Sequence, residues 1–283
     1  MKQLIINADD FGRHRLINEA VEKAYRQGCL TSTTIMAGGK AFDDAVDIAL
    51  RNPELGVGIH FTLANGFPVM PAKKIPSLVT REGYFHPNYS IFAKLYMQGK
   101  INRAEVQAEL DAQLEKVMYS GIRPTHFDSH QHLHHFPGIL GVAIKLAKKA
   151  RINAMRVSST KVFSGNIDGL GTFIGRLGLS SLAKIAANTA RKSGMATPEH
   201  FIGNVSGESI TKEFMVDLIN NLEEGTTEVM LHPGVDNKIL QYFCDWDHDF
   251  EGELEAVTSP KVVKLIEDKR VYLVNFSDLR APK

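Results

Sequence analysis

The chain has 283 residues, 43% of them hydrophobic and 23% charged, which suits a folded domain with a sizeable core and excludes a disordered or fibrous protein. With 33 Lys and Arg against 32 Asp and Glu, the net charge of +1 provides no general field for phosphate backbones, so nucleic acid is not an expected partner. Two cysteines, Cys29 and Cys244, are too few for a disulfide framework, and neither a secretory leader nor a membrane-length apolar run is present, so a soluble cytoplasmic chain without membrane partners is expected.

Residues 3 to 8 (QLIINA) form a short apolar run that predicts a buried strand with Asp9 and Asp10 at its C-terminal end. From Leu16 the apolar positions Ile17, Ala20, Val21, Ala24 and Tyr25 repeat at helical spacing, and Gly28 supplies a stop. Thr31 to Met36 is β-branched and strand-like, 41 to 51 reads as a helix ended by Asn52-Pro53, and Gly56 to Leu63 alternates like another strand with His60 inside it. Residues 64 to 100 are irregular, with several Gly, Pro and aromatic residues, and predict a long loop or lid carrying a short helix. An amphipathic helix follows over 103 to 120, then a strand over Pro124 to Asp128, a helix from near Pro137 to 150, and a strand over Asn153 to Val157.

Residues 160 to 197 are Gly- and Ser-rich with a helical middle and read as an insertion. Phe201 to Val205, Glu228 to Leu231 and Val271 to Phe276 are the remaining strand candidates, with helices around 211 to 223 and 259 to 268; the acidic stretch from Asp245 to Glu255 reads as a solvated loop. No fixed-period repeat or low-complexity tract is present, and 1–283 is read as one α/β domain with a lid at about 64–100 and an insertion at about 160–200. Alternating strands and helices predict a mainly parallel sheet, open or closed into a barrel, whose functional end is the C-terminal edge of the strands.

That rule directs attention to Asp9-Asp10, His60, Asp128 to His130 and His232. Five of the eleven histidines (His126, His130, His132, His134, His135) fall within ten residues in THFDSHQHLHHFP, a density that points to a metal. A strand rises roughly 3.3 Å per residue, so His126 and His130 would stand about 13 Å apart in an extended segment and could not share an ion. If the chain turns after Asp128, His130 is placed at the mouth, with His132 and His134 near a following loop or helix start. Asp10, His60 and His130 then give one carboxylate and two imidazoles with positions left open, a set that suits hydrolysis and also non-haem iron oxygenases. Asp9 favours hydrolysis, as a base for the attacking water, and His232 in MLHPG is a candidate acid for the leaving group. Each feature also has a plainer use: an Asp-Asp pair caps helices, a histidine in an apolar strand is often a hydrogen-bonded core residue, and His232 before Pro233-Gly234 can mark a turn. His14, His86, His200 and His248 stand alone and receive no role, and Trp246 serves equally as packing or as a sugar platform. The glycines of MAGGK do not match a phosphate-binding loop.

The segments INADDFG, TSTTIMAGG, GIHFTLANGFPV, PTHFDSHQHLHHFP and LHPG, in that order over most of the chain, resemble the YdjC/ChbG family of carbohydrate deacetylases; 70 to 100 and 160 to 200 are least similar. The resemblance implies a (β/α) barrel-like fold related to polysaccharide deacetylases, and removal of an N-acetyl group from an amino sugar of the chitooligosaccharide type with a divalent cation. It also implies Asp10, His60 and His130 as ligands, Asp9 as base, His232 as acid and Arg156 beside the base. Magnesium is the ion the resemblance suggests, whereas two imidazoles and a carboxylate favour zinc or another late first-row ion. An acetylated sugar is the expected partner. Alternatives are an amide or ester hydrolase acting on a hopanoid- or lipid-linked glycoside, and a non-catalytic metal- or sugar-binding barrel. Phe92, Tyr96 and Met97 are expected at a homodimer interface or over the substrate cleft.

Overall fold

A computed structural model describes residues 1–158, 170–203 and 209–280, with the side chains of 170–180 left undescribed. In chain order the elements are β1 (Lys2–Phe11), α1 (Arg15–Gln27), β2 (Ser32–Ile35), α2 (Phe42–Arg51), β3 (Gly56–Phe61), α3 (Tyr89–Met97), α4 (Arg103–Tyr119), β4 (His126–Ser129), α5 (Pro137–Lys149) and β5 (Ala154–Met155). They continue with α6 (Leu170–Lys192), β6 (His200–Ile202), α7 (Lys212–Asn220), β7 (Gly225–Leu231), α8 (Asn237–Cys244), α9 (Phe250–Thr258), α10 (Pro260–Asp268) and β8 (Tyr272–Leu273). Short 3₁₀ turns cover Ala72–Lys74, His130–His135 and Phe276–Asp278.

All described strand pairings are parallel, in the order β5-β4-β3-β2-β1-β7-β6, with β8 added beside the start of β1. The two ends of this curled sheet come together: Ala196, just before β6, bridges to Ala154 of β5, with Met155 N donating to Ala196 O at 2.9 Å and Ala196 N to Asn153 O at 2.7 Å. The mainly parallel sheet expected from the strand-helix alternation and the α/β barrel-like architecture implied by the family resemblance are therefore present. β1, paired with β2, β7 and β8, is buried from Leu4 to Phe11, its apolar residues covered on both faces as in a parallel strand and Asn7, Asp9 and Asp10 buried among them.

The helices form where the sequence places an apolar stripe and a cap. His14 accepts the Leu16 N–H at the start of α1, and Ile17, Ala20, Val21 and Ala24 are buried on β1 and α2. Asn102 caps α4, whose buried face carries Val106, Leu110, Leu114 and Val117 but also Glu109 and Gln113. Those two are not misplaced. Glu109 accepts the Val69 and Met70 N–H groups, each at 2.9 Å, and Gln113 holds both the N–H and the carbonyl of Thr62. They satisfy backbone that the loop after β3 would otherwise bury without partners.

Several expectations need correction. Val271 to Phe276 is a strand only at Tyr272–Leu273, because Asn275 caps a 3₁₀ turn immediately after it. The acidic stretch from Asp245 is not all solvated loop: Asp249 caps α9, and Glu253 is completely buried. Phe92 is enclosed by Tyr96 and Phe136 and offers nothing to a partner chain; of the three aromatic or apolar candidates only Met97 is strongly exposed. Residues 160 to 169 of the expected insertion, and Asn204 and Val205 of the expected strand, lie outside the described residues. No helix among the described residues is long and apolar enough to cross a membrane.

Candidate metal centre and active site

At the C-terminal edge of the sheet a cavity of about 470 Å³ is lined by Asp9, Asp10, His60, His130 and His232, with Arg13, Asn65, Trp246, residues 87 to 89 at the start of α3 and residues 131 to 132 of the 3₁₀ turn around them. Two adjacent carboxylates facing one cavity is unusual in a strand, where neighbouring side chains point to opposite faces. Asp9 follows the regular alternation, since Asn7, two residues earlier, donates to its Oδ1 at 2.8 Å. Asp10 does not. Its φ is +64°, and the β1–β2 register shifts between Ala8 and Phe11, so a bulge swings Asp10 onto the face that Asp9 already occupies. The left-handed conformation costs energy in a non-glycine residue. Arg13 helps hold it, donating to Asp10 Oδ2 at 2.7 Å and to Asn65 Oδ1 at 3.0 Å.

His60 and Asp128 are register partners on β3 and β4, and His60 Nδ1 meets Asp128 Oδ1 at 2.7 Å. That bond turns His60 Nε2 toward Asp10 Oδ1, 3.4 Å away. His130, one residue beyond β4, brings Nδ1 to 2.9 Å from the same oxygen. Asp10 Oδ1 and His130 Nε2 are nonetheless buried with no hydrogen-bond partner. A carboxylate and two imidazoles converging within 4.8 Å, with polar atoms left unsatisfied, fit a divalent cation, and Asp128 orients His60 as carboxylates standing behind histidine ligands do in metal sites. Burial alone would raise the Asp10 carboxyl, but His130 and Arg13 hold it well below the usual carboxylate range. Burial would lower His60; Asp128 and Asp10 instead push it up to about 10.

Behind Asp9 lies Arg156, just after β5 and wholly inaccessible to solvent. Its Nη1 and Nη2 donate to the two oxygens of Asp9 at 2.7 and 2.6 Å, Nη1 also reaches Asp128 Oδ2 at 2.5 Å, and Nε donates to Glu228 Oε1 at 2.6 Å. Against the desolvation of burial, this guanidinium keeps Asp9 well below its ordinary value and therefore ionised. Glu228, desolvated and close to Asp9 and Asp128, is raised to about 7 despite its own bond to Arg156.

His232, following β7, lines the cavity edge-on to Trp246, and burial lowers its pKa. The other clustered histidines do different work. His134 bridges Ser129 Oγ and the Arg156 carbonyl, at 2.6 and 3.2 Å, and so fixes where Arg156 begins. His135 Nε2 accepts the Ser158 N–H at 3.4 Å, and His132 Nδ1 pairs with the Ser158 hydroxyl at 3.1 Å. His126 is not among the residues lining the cavity and stacks on Phe276 with ring centroids 3.6 Å apart.

Asp9, Asp10, His60, His130 and His232 thus surround one cavity with Arg156 directly behind. Sequence reasoning missed Arg13, Glu228 and Glu253, and gave Asp128 no role. A signal existed for Glu228, a lone carboxylate inside the apolar strand TEVML, and for Asp128, which shares a strand end with His130.

The family model described as YdjC-like protein matches residues 3–268. A carbohydrate deacetylase of Enterococcus faecalis is 32% identical over 288 residues, covering 98% of both chains, and one of Thermoanaerobacter pseudethanolicus is 29% identical over 280 residues, covering 99% of this chain and 100% of the relative. The crystal structure of an Enterococcus faecalis protein described as a cellobiose-phosphate cleavage protein superposes with a TM-score of 0.73 at 32% identity, covering 97% of each chain. An uncharacterised protein from Agrobacterium tumefaciens shares the fold alone, with a TM-score of 0.51 at 11% identity, covering 98% of this chain and 88% of that one.

Proposed function

We infer the activity from two facts taken together: the chain belongs to the YdjC-like family, and its cavity joins a cation-ready Asp10, His60 and His130 to an ionised Asp9. The reading is hydrolysis of an N-acetyl group on an acetylated amino sugar or short oligosaccharide, with release of acetate. The observation that carries it is Asp10 Oδ1, a buried oxygen facing two imidazole nitrogens with no hydrogen-bond partner. Full-length relatives named carbohydrate deacetylases supply the substrate class.

A divalent ion held by Asp10, His60 and His130 would supply Lewis acidity to the acetamide oxygen and to the attacking water. Two imidazoles with one carboxylate favour zinc or another late first-row ion, although the family resemblance suggests magnesium. Asp9 acts as base. Arg156 keeps it in the proton-accepting form and, with Asn7, fixes both oxygens, so that a lone pair stands ready toward the cavity. Its basicity is modest for that reason, and the water must be acidified before Asp9 can take its proton. His232 lines the same cavity and delivers a proton to the departing amine. Asp128 holds His60 Nδ1, leaving Nε2 as the ligand atom, and Arg13 keeps Asp10 in its bulged conformation.

The test is acetate release from a panel of N-acetylated mono- and oligosaccharides, using metal-stripped protein with zinc, magnesium or cobalt restored. Ion-dependent acetate from one panel member is expected; none from any sugar, in protein that binds the ion, would sink the reading. The Asp9→Asn variant should lose most turnover, about 10²-fold or more, while its metal content stays unchanged. Near-normal turnover would remove Asp9 from the role of base.

A further inference from the structure

Beside the cavity, and sharing only His232 with its lining, stands a second group of side chains able to hold a metal, of which the proposed reaction uses only His232. His232, His248 and Glu253 each bring one ligand atom within 4.8 Å of the others. Glu253 is completely buried and His248 nearly so. Glu253 accepts the Ile210 N–H through Oε1 at 2.8 Å and the His232 N–H through Oε2. His248 Nε2 lies 3.2 Å from Glu253 Oε2, yet it has no hydrogen-bond partner, and neither does His232 Nδ1. Two imidazole nitrogens buried without partners beside a carboxylate is an arrangement that a folded protein seldom leaves unbalanced.

The surroundings pre-form the group. Trp246 stacks on His248 with ring centroids 3.9 Å apart and 17° between planes, and Phe250 meets His248 edge-on. His248 Nδ1 pairs with Ser209 Oγ at 3.2 Å. When Nδ1 donates in that bond, Nε2 presents its lone pair toward Glu253, the means by which histidine ligands are commonly oriented. Because His232 lines the cavity, the cavity is also the route of entry.

We propose that His232 Nδ1, His248 Nε2 and Glu253 Oε2 form a second cation site, distinct from Asp10, His60 and His130, that takes a late first-row divalent ion such as zinc or cobalt. The ligand set, two imidazoles and a carboxylate, selects such ions over magnesium. Resting on the proposed role of His232 as acid, occupancy of this site engages the ring that must deliver the proton. Excess zinc therefore inhibits the hydrolysis that the first ion supports.

Full-length protein is stripped with chelator, dialysed against micromolar zinc, and its ions per chain are counted. Wild type should hold two and His248→Gln one; equal counts in the two proteins would overturn the site, whereas one against none would uphold it and refute the site at Asp10, His60 and His130. Should His248→Gln fail to fold, His232→Ala, at a partly exposed ring, should also hold one, and two would again refute the assignment. Titration with cobalt gives an independent spectroscopic signature. The second equivalent should add visible absorption in wild type and none in either variant, and absorption that is unchanged between them would count against the site. In turnover, excess zinc should cut wild-type acetate release at least tenfold and spare His248→Gln. Two bound ions without inhibition would uphold the site and remove His232 from the role of acid, and two bound ions in a protein inert toward every sugar would uphold the site while refuting the proposed function.

Discussion

Replacing Glu228 with Gln should make the protein's stability less sensitive to alkaline pH, and the size of the effect follows from the buried cluster. Arg156 serves three carboxylates, Asp9, Asp128 and Glu228, and Glu228 is raised from the ordinary glutamate value to about 7 by its burial and by the other two. A carboxyl whose folded pKa lies above its unfolded one contributes stability that is complete below the unfolded value, near 4.5, and is lost as pH rises through about 7. Between pH 5 and pH 8.5 wild type should therefore lose between about 2 and 3 kcal/mol through this one group. The amide of the Glu228→Gln variant cannot ionise, and its carbonyl oxygen can still accept from Arg156 Nε. The difference in unfolding free energy between wild type and Glu228→Gln should thus shift by that amount in favour of the variant from pH 5 to pH 8.5. Urea unfolding of both metal-free proteins at the two pH values measures it, and taking the difference removes titrations common to both. Parallel stability profiles would show that Glu228 is ionised across the whole range, and the description of a crowded carboxylate cluster would be wrong.

Two further substitutions test the frame around the site. Arg156→Lys keeps the charge but loses the fork that binds both oxygens of Asp9 and reaches Glu228. Loss of at least two charge-assisted bonds should cost about 3–5 kcal/mol by chemical denaturation, and turnover should fall because Asp9 is no longer aligned; a variant within about 1 kcal/mol of wild type would contradict this. Gly39→Ala would place its methyl group on the Gly12 carbonyl, backbone that cannot yield like a side chain. Displacement of Gly12 also moves Arg13, so the variant should lose about 1–3 kcal/mol and bind the ion proposed for Asp10, His60 and His130 more weakly by calorimetry, whereas wild-type affinity would show that Arg13 does not brace Asp10.

Much of the fold was legible because a parallel sheet writes itself as buried apolar runs separated by capped amphipathic stripes. LIINA, GVGIHF and EVML are of this kind, and the candidate site residues Asp9, Asp10, His60 and His232 stand at or just beyond their C-terminal ends. The pairing of Asp9 with Asp10 was legible as composition but not as geometry. Strand periodicity sends the two to opposite faces, and only the bulge at φ +64° reconciles them. Long-range partners were the least accessible. Nothing local in NAMRVS announces that Arg156 will meet a carboxylate from each of β1, β4 and β7, since the curl of the sheet brings those strands around it. The acidic run after Asp245 misled for a related reason: Glu253 sits in a charged stretch, yet helical spacing turns it inward beside Phe250 and Leu254. Charge density along a sequence cannot show which one of several carboxylates the helix buries.

The charge balance of the cluster explains why a divalent ion suits this site and yields a count of protons. Four buried carboxylates, Asp9, Asp10, Asp128 and Glu228, face two guanidiniums, Arg13 and Arg156, so two negative charges remain if all are ionised. In the metal-free protein protons supply the balance, one on His60, whose pKa is raised to about 10, and near or below pH 7 another on Glu228. A divalent ion replaces both. Held by the proposed ligands, it would require the neutral form of His60, and its two charges would leave Glu228 free to ionise. Binding should then release about one proton at pH 8.5, where only His60 still carries one, and close to two at pH 6. Affinity should rise with pH in this range, because the proton and the ion compete. Calorimetric titration with zinc in buffers of different ionisation enthalpy gives the number directly, and Glu228→Gln should release about one proton at both pH values. If wild type and Glu228→Gln released the same number at pH 6, Glu228 would have no part in the balance, and the surplus charge would have to be met elsewhere in the cluster.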